Sequence, residues 1–235
     1  MDSTLPSPTP IHDVDASTDD FAPSGRDWWP LLLVALVALL LGGLGGYRLG
    51  RDAMPAADSV DVGFARDMSI HHEQAVQMAA LVYDRSDDPA VRSLAFDILT
   101  TQQGQIGIMS GWLDAWGVPW TTTGPRMAWM GMPTEGLMPG MATAEQLDAL
   151  RAAEGAAADV LFLQLMIPHH VGGVDMAAAA AVDAERASVR QLATAMAEAQ
   201  TSEIGYMNEL LLAKGAAPVD APAVDDGGGH QHTAP

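Results

Sequence analysis

Shifted by 98 residues, the chain lies over itself, and residues 61–117 align with 159–215 without a gap. Asp61 meets Asp159, Phe64 meets Phe162, Met68 meets Met166, and His71-His72 meets His169-His170. Further on, Met78 meets Met176, Gln102 meets Gln200, and Met109 meets Met207. About twenty of the 57 aligned positions are identical. A duplication of this length restricts the fold to two copies of one supersecondary unit packed on each other. Each copy reads as helix, turn, helix. In the first, a helix over 59–84 is followed by Asp87-Asp88-Pro89, with Asp88 as N-cap and Pro89 at the first helical position. The partner helix runs to Trp116 and stops at Gly117. The second copy has helices near 157–182 and 186–214, closed by Gly215. Between the copies, residues 118–142 form a Pro-, Gly- and Met-rich crossover, after which Thr143 and Gln146 make a capping-box pattern. Two hairpins with one long connection predict an all-α four-helix bundle with one crossover over 58–215.

Twenty uncharged residues, Trp28 to Tyr47, precede this domain. At about 1.5 Å per residue they span a hydrocarbon core of roughly 30 Å, with aromatic residues at both ends. A transmembrane anchor over 28–50 is expected. A cleaved signal peptide fits less well, because the leader is long and acidic. Residues 1–27 and 216–235 read as disordered tails; the latter carries His230 and His232. Arg26 before the span and Arg48 and Arg51 after it point weakly to a cytoplasmic domain. The ligand chemistry below points outward, and an extracytoplasmic domain is the expectation.

On a helical wheel centred on Met68, His72 falls near +40°, His71 near −60° and Phe64 near −40°, at about 100° per residue. Asp61 shares this inward face, Met78 lies at its margin, and Glu73 and Gln74 point away. The second copy repeats the layout with Asp159, Phe162, Met166, His169, His170 and Met176. The partner helices bring Gln102, Gln105 and Met109 inward in one copy, and Gln200, Glu203 and Met207 in the other. Four imidazoles inside one bundle are costly unless satisfied. A hydrogen-bonded polar core would satisfy them, and so would a metal ion. Thioether and imidazole on one face select Cu(I), then other soft or borderline ions. The candidate ligands are therefore Met68, His71, His72, Met78, Met109, Met166, His169, His170, Met176, Glu203 and Met207, with copper as the expected ion. Fourteen methionines and no cysteine agree with a thioether site free of thiolate. A second methionine group, Met127, Met130, Met132, Met138 and Met141, lies in the crossover with Trp129. It reads either as a Cu(I) capture site or as an apolar lid over the bundle end. A formal net charge of −19 excludes nucleic acid as a partner and attracts cations.

The pieces Phe162-Leu-Gln-Leu-Met-Ile-Pro-His-His170, Met138-Pro-Gly-Met141 and Gln200-Thr-Ser-Glu-Ile-Gly-Tyr-Met207 resemble the family called domain of unknown function 305. The resemblance covers about residues 58–215. It implies a ferritin-like bundle, usually outside the cytoplasm, with some relatives binding periplasmic copper in copper tolerance. Two positions depart from the family pattern. Leu137 stands where relatives often have His, which implies weaker ligation by that loop. Gly173 stands where Ala is usual, which implies a looser helix near the second His pair. A membrane-anchored copper-binding or copper-sequestering protein is the leading expectation. A ferritin-like di-iron oxidoreductase is one alternative, but Met68 and Met166 stand where its Glu-x-x-His motifs would need Glu. A structural or partner-binding bundle without metal is the other. No catalytic constellation is expected.

Overall fold

The computed structural model describes residues 28–52 and 54–220, the side chains of 49–52 excepted. The expected tail over 1–27 lies outside these residues, as do His230 and His232. Among the described residues there are six α-helices and one 3₁₀ turn. The helices are α1 (Trp29–Asp52), α2 (Val60–Tyr83), α3 (Pro89–Ala115), α4 (Ala144–Ala152), α5 (Gly155–Asp183) and α6 (Ala187–Ala213); the 3₁₀ turn is Ala128–Met130.

Helix α1 forms a unit of its own. Its stretch Trp29–Arg48 is long and apolar enough to cross a membrane, with a mean hydropathy of 2.1. Its leucines and valines are exposed, as suits a helix whose apolar surface needs a partner other than water.

The second unit is the helical bundle. Helices α2 and α3 form one hairpin, α5 and α6 the other, and the hairpins meet along α2 and α5. The local stop and start signals act where the sequence places them. The Ser59 hydroxyl accepts from the Val62 amide at 3.4 Å, and Asp88 Oδ1 accepts from Ala90 at 2.8 Å at the start of α3. Thr143 and Gln146 complete the capping box of α4. Gly117 and Gly215 take left-handed conformations, φ +66° and +71°, past the ends of α3 and α6. The first residues of the expected C-terminal tail are held. Val219 exchanges two hydrogen bonds with Asn208, at 2.8 and 3.2 Å, and Ala216 and Val219 pack on the core.

Asp61 and Asp159 sit on the buried face, but each is committed to structure. The N-cap position of α6 is Arg186, whose side chain does not cap it. Asp61 from the other hairpin reaches across and accepts from the Glu185 and Arg186 amides at 3.0 and 2.9 Å. At the equivalent place α3 already has Asp88. Asp159 there binds Lys214 Nζ at 2.9 Å, and the same ammonium reaches Asp88 at 2.6 Å. Two equivalent carboxylates thus close the two ends of the bundle by different contacts. Loss of an N-terminal helix cap costs about 1–2 kcal/mol. Asp61→Ala should lower unfolding stability by about that amount in urea denaturation followed by circular dichroism.

Candidate metal centre

The four imidazoles of His71, His72, His169 and His170 are fully buried at the seam between α2 and α5. The His71 and His169 rings pack against each other at a tilt, with centroids 3.9 Å apart and planes inclined by 35°. These residues are 98 positions apart, so each meets its own equivalent. Self-contact of this kind marks a two-fold relation between the packed units. His169 and His170 lie 6.4 Å apart, centroid to centroid.

Their hydrogen bonds fix the chemistry. His71 Nε2 faces the Pro139 carbonyl at 3.1 Å. His72 Nε2 faces Gln105 Oε1 at 2.7 Å, and His170 Nε2 faces Glu203 Oε2 at 2.7 Å. Each partner is an acceptor, so each Nε2 donates. In a neutral imidazole the other nitrogen then carries a bare lone pair. Nδ1 of His71, His72 and His170 is buried without a partner, and both ring nitrogens of His169 lack one. Burial pushes the His71 pKa down to about 4 and that of His72 to about 3. His169 is held well below the usual range, first by burial and then by the His71 charge. A buried polar atom without a partner is costly, and the four lone pairs that neutral imidazoles leave among these five nitrogens call for a Lewis acid or for water. The donor chemistry therefore fits an imidazole-binding metal. Among the described residues, no three His, Asp or Glu side chains converge as a metal cage. Any further donors must be thioethers or the Gln amides.

The six candidate methionines, Met68, Met78, Met109, Met166, Met176 and Met207, are all fully buried. They divide into two clusters, and each draws on both hairpins. Met68 and Met109 join Met176 in one; Met166 and Met207 join Met78 in the other. The two trios exchange under the 98-residue shift. Glu203 is a quarter exposed, so its carboxylate links the His170 ring to solvent.

The crossover methionines do not gather as one group. Met127 and Met138 are buried in the first cluster, Met130 and Met141 pack partly against it, and Met132 is 52% exposed. Trp129 lies against Gly63, where a Cβ would collide with its ring, and donates to Asp67 at 2.9 Å. These contacts match the apolar-lid reading. Leu137 is half exposed.

One polar residue near the site was poorly legible. Gln74, expected to point away, is buried and exchanges two hydrogen bonds with the Ala142 backbone, at 2.9 and 2.6 Å. The crossover folds back over α2 and covers that side of the helix. Gln102 and Gln200 are buried with unpartnered amide atoms. Helix α5 runs unbroken through Gly173. The glycine makes room for the Gln200 amide, which a Cβ would strike.

The fold and site together define a class: a helical bundle with a buried histidine seam flanked by methionine clusters. Residues 61–211 match the family described as Domain of unknown function (DUF305), and the chain belongs to it. A DUF305 protein from Streptomyces coelicolor, whose name assigns it to secretion, is 48% identical, with a TM-score of 0.67; the match covers 70% of this chain and 99% of that one. CopM in its Cu(I)-bound form is 27% identical with a TM-score of 0.50, covering 65% of this chain and 96% of that one. An uncharacterized protein, L153 of Acanthamoeba polyphaga mimivirus, is 35% identical over 54 residues, which cover 23% of this chain and 36% of that protein.

Depressed imidazole pKa values bear on stability. Below about pH 6.5 the unfolded chain protonates His71 and His72, while the folded chain does so only near 4 and 3. The stability they permit is complete above 6.5 and falls as pH drops through this window, by up to about 1.4 kcal/mol per pH unit per group. Melting temperatures of the metal-free protein should fall steadily from pH 7 to pH 5, and His72→Gln should flatten the slope.

Proposed function

We propose that the chain is a membrane-anchored, extracytoplasmic protein that binds copper, preferring Cu(I), for sequestration or handling. The observation that carries this reading is the set of buried, unpartnered Nδ1 atoms on His71, His72 and His170, each on a ring whose Nε2–H is held by an acceptor. Metal-binding imidazoles are commonly oriented by such a bond from the other nitrogen. The donors that would hold an ion are imidazole nitrogens with the thioethers of Met68 and Met166, each three and four residues before a His pair on its own helix. Two-coordinate or three-coordinate sets of this kind suit Cu(I) and Ag(I), and offer little to Mg, Ca or Mn. The kinship with CopM, known in Cu(I)-, Cu(II)- and Ag-bound forms, supports the same choice. Glu203 gives the second His pair a carboxylate where the first has the Gln105 amide, and a carboxylate favours a bound cation more.

Met68→Leu combined with Met166→Leu tests the ion. Leucine keeps most of the volume and apolarity. The variant should bind Cu(I) at least about tenfold more weakly, a loss of about 1.4 kcal/mol, while Zn(II) binding and helical content barely change. Parental Cu(I) affinity with reduced thermal stability would make the methionines core filler.

The anchor reading rests on the exposed apolar stretch of α1. The full-length chain should sediment with membranes and require detergent, and protease added to intact spheroplasts should trim the domain. A processed soluble product would identify α1 as a signal peptide. Complete protection of the domain would place it on the cytoplasmic side.

A further inference from the structure

All four imidazoles are fully buried, so an ion reaches them only if some cover moves. On most sides that cover is helix. At His71 and His169 it is the five-residue strap Met138–Ala142, which has no helical hydrogen bonds of its own and closes a single turn, Met141 N to Met138 O at 3.2 Å.

The strap makes three kinds of contact with the centre. The Pro139 carbonyl accepts from His71 Nε2 at 3.1 Å. Gly140, at φ +75°, lies so close to α5 that a Cβ would collide with the Pro168 carbonyl and approach the His169 Cα at 2.9 Å. Gly172 likewise has no room for a Cβ beside the Pro139 carbonyl. Two glycines, one on each side, thus let the strap lie backbone to backbone on α5, one turn or less from the His pair. Its far end is tied to α2 by one side chain. Gln74 donates to the Ala142 carbonyl at 2.9 Å and accepts from the Ala142 amide at 2.6 Å, a two-point amide pair.

We infer that Met138–Ala142 is the entry strap of the metal centre, and that Gln74 is the positioning residue that latches it. Closed, the strap holds the His71 ring with Nε2–H toward the Pro139 carbonyl, so that Nδ1 is the nitrogen offered to a metal. Open, it uncovers His71 and His169. Gln74 touches neither imidazole nor metal and acts through Ala142 and Pro139. The inference rests on the copper-binding reading above for its ligand, but the latch itself is a property of the metal-free protein.

The test compares the full-length parent in detergent with Gln74→Leu, Gln74→Glu and, as a control, Gln103→Leu on the exposed face of α3. Losing two hydrogen bonds of ordinary net worth shifts local opening by about tenfold or more. In Gln74→Leu, hydrogen exchange at the Ala142 amide should accelerate about tenfold without metal. Transfer of bound Cu(I) to excess bathocuproine disulfonate should accelerate by a similar factor. Gln74→Glu keeps the acceptor for the Ala142 amide but sets a carboxylate oxygen against its carbonyl, so it should fall between. In nitrogen NMR of the metal-free protein, the His71 ring should be the Nε2–H tautomer in the parent and mixed in Gln74→Leu. Gln103→Leu should match the parent throughout. A parent that binds no Cu(I) would sink the copper reading alone, since exchange and tautomer still report on the latch. A parent that binds Cu(I) while Gln74→Leu leaves exchange, tautomer and transfer rate unchanged would overturn the strap.

Discussion

The contact between His71 and His169 is the constraint on which the bundle turns. Two polar rings at 3.9 Å in a buried seam demand that α2 and α5 meet at one register only. Slippage by a residue would set the imidazoles against apolar side chains and strand more ring nitrogens, each at the cost of an unpaired buried polar group. The pairing also explains why the flanking polar residues come in matched sets. Gln105 on α3 and Glu203 on α6 answer His72 and His170 at the same distance, 2.7 Å. Each satisfies the outer nitrogen of a ring, and the inner one is left over.

That remainder makes the interior unlike an ordinary polar core. A core evolved only to fix register would close its hydrogen bonds, because a half-satisfied network is worse than an apolar one. Here ring nitrogens remain unpaired on all four histidines, and each buried cluster of the bundle holds methionines from both hairpins. Because each methionine trio contains residues from both hairpins, an ion held there would tie them together. Binding to the folded state alone would stabilise it. The acidic chain adds a general attraction for cations. The depressed imidazoles of His71, His72 and His169 stay available for coordination well below neutral pH.

Near-symmetry and its breaks have separate uses. Asp61 and Asp159 occupy equivalent places, yet one caps a helix of the other hairpin and one binds Lys214. Position 74 is the latch glutamine, and its equivalent is Gly172, where the strap lies down. One strap lies against both hairpins and cannot meet two identical surfaces in the same way. The surfaces differ accordingly: a long amide on one side, a bare backbone on the other.

Helix ends were legible from the sequence alone, because capping is local chemistry. Ser59, Asp88 and Thr143 start helices with their own side chains, and Gly117 and Gly215 stop them by adopting a positive φ. The buried face was legible too, since a period of 3.6 residues brings Phe64, Met68, His71 and His72 to one side whatever they pack against. The Gly172-Gly173 pair makes room for close approach inside a helix, where the sequence suggests only a looser stretch at Gly173. What approaches was not readable, because the strap and Gln200 come from elsewhere in the chain. The same limit hid the role of Gln74, whose burial comes from a crossover about 68 residues away. Only the tertiary structure decided that equivalent histidines touch, that each methionine trio takes members from both hairpins, and that Nδ1 is the nitrogen left bare. Those outcomes depend on contacts between elements far apart in sequence, and helical periodicity sets direction without setting partners.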